Sequence, residues 1–425
     1  MARRIFISDI HMGIREGQSG PHPYGWLRED RQKLLAEFLN SLTGSNAVDE
    51  LIIVGDLFDE WVMPFQVSSP AGDDESWFAK VAADPLNAAI LKALSDLAGR
   101  SSVSYVHGNH DMQLSQSVLA GLAPGVKWVS GDPGMGVYAE DGIHAEHGSL
   151  YCLFNAPYLL SGKQLQQVPL GYLMARSNAQ FVSEGGTMRW EEYLQLFLDV
   201  FLDLFKGDKL AEAFIEAMVK AMKINPDTPV YLYGVDGFTS QATTIKAMAT
   251  QLGDIYDQWD DEWKNQGIDN VPRDWAVLGD AGCLYHAAEL HFTSQNKLVI
   301  YGHTHKWELD GVLSSDLSSV DKEMADLLDS KITGQETLNK MRDIADKYDP
   351  GEGIYDGHVY VNCGTWIDGT GDSDSLLPAT YVEVCDHGGE RRVTVYQCQL
   401  APKPRPGEPD KLVITALKSR TIRYP

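Results

Sequence analysis

The stretch Leu51-Ile52-Ile53-Val54-Gly55-Asp56-Leu57-Phe58-Asp59-Glu60-Trp61 runs four apolar, mostly β-branched residues straight into a glycine and an acidic cluster. A short apolar run bounded by a turn residue reads as a buried strand, and the glycine lets the backbone leave it sharply. The pattern repeats along the chain. Residues 5–8 lead into Asp9-Ile10-His11, residues 103–106 into Gly108-Asn109-His110-Asp111, residues 143–146 into His147-Gly148, and residues 297–301 into Gly302-His303-Thr304-His305. In an open α/β sheet the site lies outside the carboxyl ends of the strands, so five clusters spread over about 300 residues can meet in one crevice.

Helical periodicity fills the gaps between these strands at residues 27–42 and 85–98, a βαβαβ rhythm that predicts a sheet with helices on its faces. Further strands are expected at 126–130 and 136–139. From about residue 152 to 295 the pattern turns mostly helical, with helices expected at 190–206, 209–223 and 241–264. Strand character returns at 297–301, yields to a polar helical stretch at 320–347, and resumes at 358–363, 380–384 and 392–399. A Pro-rich link at 402–409 leads to a mildly basic tail, readable as an edge strand or a partner arm. The expected organisation is one α/β catalytic domain from residues 1–151 and 296–400, a helical cap inserted at 152–295, and a link with C-terminal tail at 401–425.

Composition narrows the function. The 425 residues carry 35 Lys+Arg against 60 Asp+Glu, a net charge of −25, which opposes recognition of a phosphate backbone and argues against nucleic acid. The five cysteines are odd in number and lack CxxC spacing, as in a reduced chain rather than a disulfide framework. Only four residues separate Met1-Ala2-Arg3-Arg4 from Asp9, too few for a signal peptide, and no stretch is apolar enough to span a bilayer. A cytoplasmic location is expected, with a small-molecule substrate and homo-oligomerisation left open.

The clusters themselves supply two carboxylates, an amide oxygen and four imidazoles from Asp9, His11, Asp56, Asn109, His147, His303 and His305. Residues two apart on extended backbone share a side, pairing Asp9 with His11 and His303 with His305. Hard oxygen mixed with imidazole suits Mn, Fe, Zn or Co better than Ca or Mg. Seven donors exceed what one ion takes but suit two divalent metal ions sharing a carboxylate, the arrangement that clamps both oxygens of an in-line phosphoryl displacement. Two such ions, two aspartates and a hydroxide leave a local charge of about +1, an attractor for phosphate inside an acidic protein.

In this order, DxH, GDxxD, GNHD, HG and GHTH resemble the motif set of the calcineurin-like metallophosphoesterase superfamily. The resemblance implies a double β-sandwich flanked by helices and a phosphodiesterase or phosphatase working through a hydroxide held between two metals. It also implies roles: Asp9, His11 and His305 bind the first metal, Asn109, His147 and His303 the second, and Asp56 bridges them. His110 donates a proton to the leaving-group oxygen, Asp111 orients His110, and Asp59 acts one layer further out. The segment GDLFDEW at residues 55–61 resembles the branch containing the UDP-diacylglucosamine pyrophosphatases, which suggests an alternative substrate, a nucleotide-diphospho-lipid. That branch typically has arginine where this chain has His110, and histidine favours a general-acid phosphoesterase.

The remaining polar residues have plainer readings. His144 competes with His147 but sits within its strand and lacks the following glycine; His107 is a packing residue; His22, His286, His291 and His358 are structural or at the surface. Within the cap, Arg176, Arg189 and Lys163 are the candidate anion contacts, most simply surface residues. The apolar helix at 190–206 reads as the cap's own core, with a substrate pocket or partner interface as the rival. The loop at 62–84 carries Trp77 and Phe78 and is expected to form a pocket wall.

Overall fold

The structure is a computed structural model, and it describes residues 2–19, 22–43, 46–65, 67, 74–130, 135–152, 155, 170–186, 225–230, 243–247, 283–328, 335–367, 378–401 and 411–424. The strands are β1 (Ala2–Ile7), β2 (Glu50–Val54), β3 (Ser102–Val106), β4 (Lys127–Trp128), β5 (Tyr138–Glu140), β6 (Ile143–Ala145), β7 (Pro229–Val230), β8 (Thr243–Thr244), β9 (Leu298–Tyr301), β10 (Trp307–Leu313), β11 (Ile354–Tyr355), β12 (Gly357–Cys363), β13 (Thr380–His387), β14 (Glu390–Ala401) and β15 (Lys411–Arg423). The helices are α1 (Arg15–Gln18), α2 (Glu29–Ser41), α3 (Asp74–Ala82), α4 (Pro85–Ala98), α5 (Gln116–Leu122), α6 (Leu170–Ser183), α7 (Tyr285–Glu289), α8 (Leu317–Leu328) and α9 (Gln335–Tyr348).

Two sheets carry the fold: eight strands in the order β11-β15-β14-β13-β1-β2-β3-β4, and five in the order β10-β12-β9-β6-β5. Strands β1 to β4 run parallel, as do β6, β9 and β12, so their carboxyl ends gather on one side. Alternation along each strand sorts its side chains between layers. Ile5, Ile7, Leu51 and Ile53 join the helix-side core with Leu34, Leu35 and Phe38 of α2 and Ile90, Leu94 and Leu97 of α4. Phe6, Ile52, Val54 and Val106 turn the other way and meet Ile143, Ala145, Leu298, Ile300, Val359 and Val361 of the second sheet. Val299 and Tyr301 face outward from that sheet onto α7, α8 and α9. The result is helices, sheet, sheet, helices, the sandwich the motifs imply. Each buried aliphatic or aromatic side chain contributes about 1.5–3 kcal/mol, so these three clusters set the stability.

Local rules place α4 well. Asp84 caps it by accepting from the Leu86 and Asn87 amides, and Pro85 occupies its first turn, where the missing N–H costs nothing.

Several expectations change. The 62–84 loop contains α3, and Trp77 and Phe78 are buried in the core, Phe78 against Phe58 at 5.3 Å, instead of lining a pocket. The single helical stretch at 320–347 is two helices, α8 and α9, whose apolar stripes cover the second sheet. Strands β10 and β11 are additional to those expected from the sequence. Glu308 and Asp310 in β10 obscure its alternation, and β11 is only two residues long. Residues 411–423 are not a free arm: β15 pairs with β14 along its length and is covered on its other side by β11 only at Thr421 and Ile422, so residues 411–420 form an edge of the sheet, as one of the two readings expects. The helices expected at 190–206 and 209–223, and the link at 402–409, lie outside the described residues. Of the one expected at 241–264, residues 243–247 are described, and Thr243–Thr244 pairs with Pro229–Val230 as a strand. No helix among the described residues is long and apolar enough to cross a membrane.

Candidate metal centre

Beyond the end of β1 the chain zips onto the turn that follows β2: the Ile10 and His11 amides both donate to the Asp56 carbonyl at 2.9 Å, and Met12 N–H donates to the Leu57 carbonyl at 3.0 Å. The other clusters close around this joint. His110 N–H donates to Asp56 Oδ1 at 2.8 Å and His303 N–H donates to Asp9 Oδ2 at 2.9 Å. Backbone conformation marks the same places. Asp9, His11, Asp56, His303 and His305 all have φ between 53° and 70°, the left-handed region that costs a non-glycine residue about 1 kcal/mol or more. Such strain persists where surrounding structure over-determines it, and five of the seven expected donors carry it.

The two carboxylates are built alike. Each has one oxygen held by a backbone amide, while the other, Asp9 Oδ1 or Asp56 Oδ2, is buried without a hydrogen-bond partner. Around those bare oxygens stand imidazole nitrogens: His305 Nε2 is 3.2 Å from Asp9 Oδ1, and His147 Nε2 and His11 Nε2 are 3.1 and 3.6 Å from Asp56 Oδ2. His11 Nε2 and His305 Nε2 face each other at 3.0 Å. The outer nitrogens are tethered, His11 Nδ1 to Asp59 Oδ2 at 3.2 Å and His147 Nδ1 to the Val54 carbonyl at 2.8 Å, which leaves Nε2 of each free to ligate. Asn109 Oδ1 meets His147 Nε2 at 2.9 Å and His303 Nδ1 at 3.1 Å. All seven expected donors therefore gather at one spot.

Buried carboxylate oxygens without a donor, ringed by imidazoles with anchored backs, are an uncompensated arrangement for a protein alone. Divalent cations would satisfy it, and the N/O donor set fits them. Electrostatics agree: burial pushes the Asp9 and Asp56 carboxyls up, yet the neighbouring histidines hold both below the usual carboxylate range. Burial pulls the His11 imidazole down, but the hydrogen bond to Asp59 and the nearby carboxylates of Asp9 and Asp56 carry it up to about 10.

Glycine is required where the loops touch. A Cβ on Gly108 would lie 2.0 Å from Asp56 Oδ1, and one on Gly302 would lie 1.8 Å from Ser8 Oγ and 2.7 Å from Asp9 Oδ2. Gly302→Ala is thus expected to displace Asp9, at a cost of about 1–3 kcal/mol. Elemental analysis should find less metal on the variant, and retention of the wild-type metal content would refute the close-contact argument.

Two assignments are corrected. Asp111 does not orient His110: its carboxylate accepts from the Gly108 and Phe58 amides at 2.9 and 3.1 Å and so braces the turn. Asp59 holds the ring instead, its Oδ1 3.2 Å from His110 Nδ1, and the same oxygen accepts from the Trp61 and Val62 amides. Arg176 is not at the surface. It is buried in α6 and donates to the Pro64 and Val67 carbonyls and to the Tyr172 hydroxyl. Arg189 and Lys163 lie outside the described residues.

The other histidines divide cleanly. His22 is exposed, His286 is buried, His107 packs on Trp128 at 4.2 Å, and His358 bonds the Thr293 carbonyl at 3.0 Å. His144 bonds Glu146 at 2.7 Å, with His291 stacked on it at 4.0 Å and Tyr151 donating to the same carboxylate. Two rings stacked 16° from parallel cannot both aim a lone pair at one ion, so this group is a hydrogen-bonded hub. Sequence reasoning missed Trp26 and Trp61, whose rings flank His110 at 5.1 and 4.3 Å. Neither sits in a polar cluster, and Trp61 could have been found as the aromatic closing GDLFDEW.

A model of the calcineurin-like phosphoesterase family matches residues 2–307, a span that includes all seven donors. The chain belongs to the calcineurin-like phosphoesterase family. The clustered His and Asp side chains of this phosphoesterase family member could hold metal. The chain is 31% identical over 115 residues to the UDP-2,3-diacylglucosamine hydrolase of Tolumonas auensis, an alignment that takes in 27% of this chain and 34% of that protein. The matched part thus spans about a third of that relative. Compared with a dimetal phosphatase from Danio rerio, the phosphoesterase gives a TM-score of 0.37 at 11% identity, over 100% of this chain and 99% of the other.

Proposed function

We propose that this phosphoesterase hydrolyses a small-molecule phosphodiester or phosphomonoester, with Asp9, His11 and His305 holding one ion, Asn109, His147 and His303 the other, and Asp56 shared between them. The observation that carries this reading is the pair of buried carboxylates, each fixed through one oxygen and bare at the other. When bound, the ions would act as Lewis acids on the phosphoryl oxygens and lower the pKa of attacking water.

The chain's own residues supply position and a proton. Asp59 bonds His11 Nδ1 through one oxygen and His110 Nδ1 through the other, so one carboxylate sets the angle of a ligand and of the acid together. With Nδ1 engaged, His110 offers Nε2–H to the leaving-group oxygen. Trp61, buried and packed at a tilt against His110 at 4.3 Å, keeps the ring from turning. The ions are drawn from Mn, Fe, Zn and Co on the donor set. We read residues 152–295 as a cap, and we place the protein in the cytoplasm on its five free cysteines.

A second reading, cleavage of a pyrophosphate in a nucleotide-diphospho-lipid, is favoured by the match to the UDP-2,3-diacylglucosamine hydrolase. Metal-stripped protein resupplied with Mn²⁺ separates the two. Our reading expects turnover of simple diesters or monoesters to return with the metal. Turnover confined to nucleotide-diphospho-lipids would establish the second reading, and no metal-dependent turnover of any phosphoester would sink both.

A further inference from the structure

We propose that Asn362 and Thr365, at the carboxyl end of β12, are positioning residues that set Asp9 as a ligand by holding it at both its backbone and its carboxylate. This rests on the reading of Asp9 as a metal ligand. None of the seven donors lies on β12 or in the turn after it, and the span matched by the family model stops at residue 307. The end of β12 nevertheless reaches the centre. Asp9 has a φ of 55°, so its backbone must be held in the left-handed region. Thr365 Oγ1 donates to the Asp9 carbonyl at 2.9 Å, and the Trp366 amide donates to the same oxygen at 3.1 Å.

The hold on the carboxylate is exerted through one peptide group. Asn362 Nδ2 donates to the Gly302 carbonyl at 2.6 Å, where the Thr304 amide also donates at 2.8 Å. The Gly302 carbonyl shares a planar peptide with the His303 N–H, which donates to Asp9 Oδ2 at 2.9 Å. Fixing one end of that plane aims the other, so Asn362 orients the amide that occupies Oδ2 and leaves Oδ1 bare for an ion.

Both holds are themselves locked. Gly364 N–H donates to Asn362 Oδ1 at 3.0 Å, so the two ends of the Asn362 amide face opposite kinds of partner and its orientation is settled. Gly364 makes this turn at a φ of 72°, and a Cβ there would stand 2.2 Å from Thr380 Oγ1. The Thr365 carbonyl accepts from Ala379 N–H at 2.7 Å. Asn362 and Thr365 are both buried, where hydrogen bonds are shielded from competing water.

The test uses the full chain, stripped of metal and titrated with Mn²⁺ by calorimetry, so that binding is read without turnover. Asn362→Asp keeps the acceptor for Gly364 and the size of the side chain, but sets a carboxylate oxygen against the Gly302 carbonyl. Thr365→Val removes the donor at nearly constant shape. Removing a partner that orients a metal ligand weakens the site by about 10–100-fold, and each variant should weaken Mn²⁺ binding by that factor, while Thr365→Ser, which keeps the hydroxyl, stays within about threefold of wild type. The loss must also run through Asp9. Added to Asp9→Ala, either substitution should change the remaining Mn²⁺ affinity by less than about twofold, the non-additivity expected of residues acting as one unit.

Unchanged Mn²⁺ affinity in Asn362→Asp and Thr365→Val, or losses that recur in full without the Asp9 carboxylate, would overturn the proposal; the second result would make the two residues general supports of the fold. If Asn362→Asp does not fold, Thr365 decides, because equal affinities for Thr365→Val and Thr365→Ser leave no hold on Asp9 to explain. A chain that hydrolyses no phosphoester but shows the Asp9-dependent loss of Mn²⁺ would count against the proposed chemistry and not against the positioning.

Discussion

Asp56→Ala should leave a folded protein with under about 0.1% of wild-type turnover, a loss of at least about 4 kcal/mol of transition-state stabilisation. The expectation follows from where the carboxylate stands. Oδ1 is spent on the His110 amide, and Oδ2 lies between His147 Nε2 at 3.1 Å and His11 Nε2 at 3.6 Å. Asp56 Oδ2 thus stands beside one expected ligand of each half, so its removal affects both ions rather than one. His303→Ala should also abolish turnover, but by emptying only the half built with Asn109, where His303 Nδ1 is 3.1 Å from the amide oxygen. Circular dichroism and elemental analysis together distinguish this from unfolding. The account fails if Asp56→Ala keeps both its metal and its rate.

The second large effect concerns His110. With its Nδ1 held by Asp59, the ring should matter only as far as the leaving group needs a proton. His110→Ala is expected to slow an alkyl phosphoester by about 10²–10⁴-fold, the usual range for a lost general acid, while a nitrophenyl ester with the same phosphoryl group loses far less. Plotting kcat against leaving-group acidity for wild type and variant measures this directly. A uniform loss across the series would mean that the ring positions the centre rather than donating a proton. Asp59→Asn should reproduce part of the His110→Ala effect and Asp111→Asn should not, because only Asp59 touches the ring.

Much of this was legible in the residues because the chemistry sits at strand ends. An apolar run, a tight turn and a ligating side chain are all local, and alternation along β1, β2 and β9 fixes which core each neighbour joins. What could not be read is non-local. Asp59 and Asp111 are equally plausible partners for His110 by sequence, and the choice depends on how two turns dock: Glu60 N–H donates to the His110 carbonyl at 2.9 Å and brings Asp59 alongside. Arg176 reads as a surface cation on an amphipathic stretch; its burial depends on two carbonyls more than a hundred residues away. Trp26 carries no motif, and only the docking of distant loops brings it beside His11, His110 and His305.

The central claim is that seven side chains hold two ions around one shared aspartate. Anomalous diffraction from a crystal grown with Mn²⁺ tests it most directly. Two manganese peaks, roughly 3.5–4 Å apart and each within ligating distance of the Asp56 carboxylate, are the predicted result. A single peak, or two peaks of which one lies away from Asp56, would contradict it.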